Sequence, residues 1–109
     1  NHGRLSRDFT YIDDVVNGII PLISLPPAKH TIYNIGNNTP VELSYFIKTL
    51  ERLLGKKAIQ KMVPMQPGDV LSTYADISAL QETTGYTPQT SIEDGLKKFV
   101  DWYFSFTKK

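Results

Sequence analysis

The chain contains no cysteine, which removes disulfides, thiolate metal sites and cysteine nucleophiles together. Its two histidines, His2 and His30, stand far apart, so neither a Cys–His pair nor a histidine-rich metal site is expected. There is no long apolar run. The stretch from Val15 to Leu25 is broken by Asn17, Gly18, Pro21 and Ser24, too short and too interrupted to span a bilayer. A signal-peptide pattern is also missing. Neither sign of charge dominates, with 12 basic residues against 11 acidic ones and a formal net charge of +1. The lysines fall in small groups (Lys56, Lys57 and Lys61; Lys97 and Lys98; Lys108 and Lys109) that read as solvated helix ends. A nucleic-acid binder would carry a basic excess or stripe. No two glycines lie close together: the seven stand at positions 3, 18, 36, 55, 68, 85 and 95. A dinucleotide-binding loop needs glycines two or three residues apart between a strand and a helix. The cysteine-free composition suits a reducing, cytoplasmic setting.

What is present is ordinary globular material, 40% hydrophobic and 21% charged over 109 residues. That length fits one small domain or part of a larger one. So short a chain buries a modest share of its surface, and a lobe shaped to pack on another would leave apolar residues uncovered. The start at Asn1, without methionine, reads as an engineered boundary or a truncated reading frame.

The pattern predicts a strand over Leu5 to Ile12 that runs into a helix. Val15, Val16, Ile19, Ile20 and Ile23 continue from Ile12 at helical spacing. Asp13 and Asp14 occupy the first turn, where carboxylates favour the helix dipole. Pro21 should kink or shorten the helix, and Pro26 and Pro27 should close it. A second strand is predicted over Thr31 to Ile35. Thr39, Pro40 and Glu42 resemble a capping box for a helix with Leu43, Phe46, Leu50, Leu53 and Leu54 on its apolar face, ended by Gly55. Ala58 to Val63 reads as a third strand and Pro64 to Asp69 as a loop. Asp76 should cap a short helix ending near Gly85. Thr90 and Glu93 form a further capping box, before a last helix that buries Ile92, Leu96, Phe99, Val100 and Tyr103. Short strands alternating with capped helices give an α/β element set, a mixed α+β lobe.

Two segments carry candidate chemistry. In Ser6-Arg7-Asp8-Phe9-Thr10-Tyr11-Ile12-Asp13-Asp14, Arg7 can set a planar guanidinium against a diphosphate, or can pair with Asp8 or a helix carboxylate. In Met65-Gln66-Pro67-Gly68-Asp69-Val70, Gly68 permits a tight turn that turns Gln66 and Asp69 to one ligand. There an aspartate accepts from ribose hydroxyls and a glutamine bridges phosphate or sugar oxygens. An ordinary Pro-Gly turn with a local aspartate hydrogen bond is the alternative.

The order of the segments adds a resemblance. Asn1-His2-Gly3-Arg4-Leu5-Ser6-Arg7-Asp8-Phe9-Thr10-Tyr11-Ile12-Asp13-Asp14, Tyr33-Asn34-Ile35-Gly36-Asn37, Pro64-Met65-Gln66-Pro67-Gly68-Asp69-Val70, Thr73-Tyr74-Ala75-Asp76, Gly85-Tyr86-Thr87-Pro88 and Ser91-Ile92-Glu93-Asp94-Gly95 resemble the C-terminal half of extended short-chain dehydrogenase/reductase enzymes. Among these the UDP-glucuronate 4-epimerases look most similar, over Asn1 to Phe104. Gln66 favours the glucuronate branch, since related epimerases and dehydratases often carry arginine there. Such enzymes oxidise C4 of a UDP-sugar with bound NAD, rotate the keto intermediate and return the hydride to the other face.

The resemblance implies that residues 1–109 are the C-terminal UDP-sugar-binding lobe, with Arg7 on the diphosphate and Gln66 and Asp69 on phosphate or ribose. Phe9 stands where some relatives have tyrosine, and Asp13 and Asp14 need no catalytic role. The family's N-terminal Rossmann lobe, with its glycine-rich NAD site, and the tyrosine–lysine proton-transfer couple have no counterpart here. No tyrosine in this chain is followed by lysine four positions on. The expectation is therefore NAD in the complete enzyme and none on this chain alone, with no catalytic residue and no activity by itself. The readings are a fragment of an epimerase, one chain of a split enzyme, or a stand-alone binding module. Weak self-association is expected. His30 reads as a surface loop residue, and Trp102 and Phe106, off the main stripe of the last helix, as cover for another lobe or chain.

Overall fold

Described in a computed structural model are residues 1–26 and 29–108. Pro27, expected to close the first helix, and Lys109 lie outside them. The expected first strand is reduced to β1 (Ser6–Arg7), after which the chain runs extended to Tyr11 and enters α1 (Ile12–Ile23). Pro21 sits in the last turn of α1 without ending it, and the helix continues to Ile23. β2 (Val41–Glu42) leads directly into α2 (Leu43–Leu54). α3 (Ser78–Thr84) and α4 (Ile92–Thr107) complete the chain.

β1 and β2 pair antiparallel, with Ser6 opposite Glu42 and Arg7 opposite Val41. On its other edge Ser6 forms a parallel bridge to Ser72, since the Ser6 N–H donates to the Leu71 carbonyl and the Thr73 N–H to the Ser6 carbonyl. β1 therefore joins the start of α2 to the chain leaving the Pro64–Asp69 loop.

Two expected strands do not form. Thr31 to Ile35 has no strand partner among the described residues, and Ile32 is exposed. β-favouring side chains need a neighbouring strand to become a sheet. Ala58 to Val63 likewise has no strand partner among the described residues: the His2 N–H donates to the Val63 carbonyl at 2.8 Å, the Ala58 N–H donates to Glu51 Oε1 at 2.8 Å, and Ile59 is fully exposed.

The caps also shift. Residues Thr39 and Pro40 precede β2, and α2 begins behind Glu42 with no side-chain cap. Ser91, not Thr90, caps α4, its hydroxyl accepting from the Asp94 N–H at 3.2 Å. Ile77 holds the cap position of α3, while Asp76 one residue earlier accepts from the Ser78 N–H at 3.0 Å. Gly55 and Gly85 end α2 and α3 in left-handed conformations, as helix-ending glycines do.

Ile77, Leu80 and Tyr86 form the core, with Leu22, Tyr33, Ile35 and Ala75 packed around it. Leu96 and Val100 are buried on α4, which packs on α2. Phe99 and Tyr103, expected inside, are half exposed. Helix α1 is turned unexpectedly. Its buried residues are Asp14 and Gly18, while Ile12, Val16, Ile19, Ile20 and Ile23 face outward. The ring of Tyr86 explains part of this, since a Cβ on Gly18 would meet it at 3.1 Å.

Candidate functional site

The residues nominated from sequence for ligand contact gather on the β1 side of the molecule. β1 presents Arg7, whose Nη1 donates to the Ser6 carbonyl at 2.8 Å. Its Nη2 donates to Asp69 Oδ1 at 2.6 Å, an ion pair spanning 62 positions of sequence. Neither expected alternative, Asp8 or a helix carboxylate, is the partner. The pair is only partly shielded, with side-chain exposures of 24% for Arg7 and 35% for Asp69. A polar ligand can therefore reach both.

Asp69 ends a tight turn. The Asp69 N–H donates to the Gln66 carbonyl at 3.2 Å, Pro67 takes the second position, and Gly68 has φ +83. Proline followed by a residue of positive φ is the type II pattern, and here only glycine meets it without strain. Asp69 Oδ1 also accepts from the Val70 N–H at 2.9 Å. The local aspartate bond of an ordinary Pro-Gly turn is thus present together with the long-range ion pair. The Gln66 side chain folds back to the Pro64 carbonyl at 3.4 Å, a long contact that a better acceptor can replace.

Gln66 and Asp69 line a groove of ≈ 420 Å³, whose apolar wall includes Leu5, Leu43, Ile47 and Met62. Apolar walls with a few convergent polar groups suit a small organic ligand. A second, smaller cavity of ≈ 220 Å³ lies between α4 and residues 9–11. Phe9 lines it, stacked on Phe46 at 4.3 Å between ring centroids, and none of Arg7, Gln66 and Asp69 does.

Two carboxylates matter more than their sequence setting suggested. Asp14, placed in the first turn of α1 for its dipole, is buried at 3% exposure. It accepts from the N–H groups of Gln89 (3.2 Å) and Thr90 (3.0 Å), so it ties α1 to the approach to α4. Asp8 accepts from three backbone N–H groups, those of Asn37, Asn38 and Ala75, at 3.0, 3.1 and 3.0 Å. Nothing in residue spacing revealed these partners, which are 29, 30 and 67 positions away.

Among the described residues neither strand-to-helix joint has the form of a dinucleotide cradle. β1 reaches α1 through Asp8–Tyr11, which contain no glycine, and β2 abuts α2 without a loop. Neither joint offers the close backbone approach that a pyrophosphate needs at a helix N-terminus. Among the described residues no group of three or more potential metal-ligating side chains occurs, and no helix is long and apolar enough to cross a membrane.

No protein-family model matches the chain. Individual proteins do. An uncharacterised protein of Methanocaldococcus jannaschii is 50% identical over 94% of this chain. A probable UDP-glucuronate 4-epimerase of Rhizobium meliloti is 40% identical over 93% of it, matched to 35% of its own length. The chain spans between 27% and 38% of the length of the curated relatives it matches. Among solved structures, UDP-glucuronic acid 4-epimerase from Bacillus cereus, in complex with UDP-glucuronic acid and NAD, superposes with a TM-score of 0.84 at 31% identity. That match covers 95% of this chain and 33% of the epimerase. With helices and short strands arranged as in those enzymes, this chain matches the C-terminal lobe of NAD-dependent UDP-sugar epimerases of the extended short-chain dehydrogenase/reductase type.

Proposed function

We propose that this chain supplies the nucleotide-sugar side of a UDP-glucuronate 4-epimerase site, the enzyme that converts UDP-glucuronate to UDP-galacturonate. The observation that carries the reading is the partly exposed Arg7–Asp69 ion pair at 2.6 Å, whose Asp69 lines an apolar groove together with Gln66. In the free protein Asp69 neutralises Arg7. A diphosphate offers the guanidinium more negative charge and the paired acceptors that its planar fork matches. Asp69, released, then accepts from ribose hydroxyls, and the Gln66 amide swings from the Pro64 carbonyl to a phosphate or sugar oxygen.

Hydride transfer at C4 of the sugar belongs to NAD in the complete enzyme, whose binding residues and proton-transfer couple are not among those of this chain. The part of these residues is to bind and orient the nucleotide, so that the remote UDP group fixes the sugar for chemistry elsewhere. The chain alone is accordingly inactive and works in the cytoplasm as one lobe of a larger enzyme.

Titration calorimetry with UDP-glucuronate tests this. The chain should bind weakly, and Arg7→Ala should lower affinity by about tenfold or more, the worth of charge-assisted hydrogen bonds. Equal affinity of the two proteins would contradict the assignment of Arg7.

A further inference from the structure

Arg7 and Asp69 are brought together by a junction of three chain segments, and Asp8 sits where they meet. Its carboxylate accepts from the backbone N–H groups of Asn37 and Asn38 on one side and Ala75 on the other. Its own N–H donates to Thr73 Oγ1 at 2.9 Å. The Thr73 N–H donates in turn to the Ser6 carbonyl at 3.2 Å. Residues 71–75, which follow directly on the Asp69 turn, are thereby fixed to the strand that carries Arg7. Gly36 shows how tightly the junction is packed. A Cβ there would lie 2.4 Å from the Ala75 Cβ and 2.8 Å from Asp8 Oδ2. The Gly36 carbonyl accepts from the Tyr86 hydroxyl at 3.1 Å, which anchors the junction to the core.

We propose that Asp8 is a positioning residue of the nucleotide site: by gripping Asn37, Asn38 and Ala75 it sets the geometry of the Arg7–Asp69 pair without touching ligand. The consequence for nucleotide binding rests on the function proposed above; the consequence for the ion pair does not. The chemistry requires a carboxylate. Ionised, it is acceptor-only and can satisfy three converging donors, with charge-assisted bonds. An asparagine of the same shape would turn an NH₂ group towards at least one of those N–H groups. Asp14 provides the contrast: it is also a carboxylate bound to backbone N–H groups, but its partners, Gln89 and Thr90, lie away from the 69–75 segment.

The experiment is NMR of the whole chain and its Asp8→Asn, Asp14→Asn and Thr73→Val variants, reading the Arg7 guanidinium protons and then the affinity for UDP. In the unaltered chain the acceptors on Ser6 and Asp69 should slow guanidinium rotation and give separate Nη proton signals. Asp8→Asn should abolish those signals while the amide spectrum stays dispersed, and should weaken UDP binding by about tenfold. Asp14→Asn should leave both unchanged. A folded Asp8→Asn protein with intact Arg7 signals would overturn the proposal. Should Asp8→Asn fail to fold, Thr73→Val decides: it removes only the acceptor facing the Asp8 N–H and should weaken the Arg7 signals. Unaltered signals there would overturn the proposal equally. Should the unaltered chain take up no UDP, the nucleotide reading falls, and the guanidinium signals alone decide the role of Asp8.

Discussion

Carboxylates hold much of this lobe together, and the partners of Asp8 and Asp14 are backbone N–H groups remote in sequence. Glu51 is one near the surface. Its pKa is held below the usual carboxylate range, first by the hydrogen bond from the Ala58 N–H at 2.8 Å and then by the charge of Lys57. The hydroxyl and N–H of Ser78 lower Asp76 in the same way, and the Tyr45 hydroxyl lowers Glu93, joining α2 to α4. A carboxylate with a lowered folded-state pKa stabilises the fold fully above its unfolded pKa, about 4. That stabilisation is lost as pH falls through the lower folded value. Urea midpoints should therefore hold from pH 7 to 5 and decline below about pH 4. Glu51→Gln should flatten the decline, and an unchanged acid profile would show that the Ala58 bond contributes nothing. The same property makes the site only partly legible from sequence. Arg7, Gln66 and Asp69 stood out through side-chain chemistry, turn residues and family resemblance. The three donors on Asp8 are main-chain groups that every residue possesses, so no residue type announced them.

At the scale of elements, periodicity succeeded where an element is stabilised within itself and failed where it needs a neighbour. All four helices lie close to their expected positions, because i, i+3, i+4 spacing and terminal glycines are local signals. Thr31–Ile35 and Ala58–Val63 have strand composition but lack a partner strand among the described residues. β2, with only Val41 and Glu42, is too short to carry any pattern. Spacing found the apolar stripe of α1 but could not say which side would be covered, and the isoleucines face solvent while Gly18 meets Tyr86. Stability should follow the observed burial. Leu80→Ala, at a side chain with no exposure, should cost about 2–5 kcal/mol in denaturant unfolding. Ile23→Ala, at a residue 77% exposed, should change stability by about 0.5 kcal/mol or less. Equal costs would mean that α1 docks differently on the core.

The whole molecule is flatter and more extended than a compact chain of its length. Its radius of gyration is 16.8 Å and its extents are 50 × 39 × 20 Å, against about 13 Å of radius for a compact chain of this length. Two apolar surfaces go with that shape. One is the outward face of α1; the other is the aromatic ladder of α4, where Phe99, Trp102 and Phe106 contact one another in sequence. Trp102 and Phe106 are exposed, in keeping with cover for another lobe or chain. Exposed apolar area of this kind associates. We therefore expect weak self-association in sedimentation experiments, reduced by Ile19→Ser or Trp102→Ser; a clean monomer at high concentration would contradict it.

The central claim is that these residues form one half of a UDP-sugar site, and amide NMR with and without UDP-glucuronate tests it most directly. The account predicts a dispersed spectrum and, at millimolar ligand, shifts clustered at Arg7, Gln66 and Asp69. A folded spectrum that ignores the ligand, or shifts confined to the Phe9–Phe46 cavity, would contradict the claim.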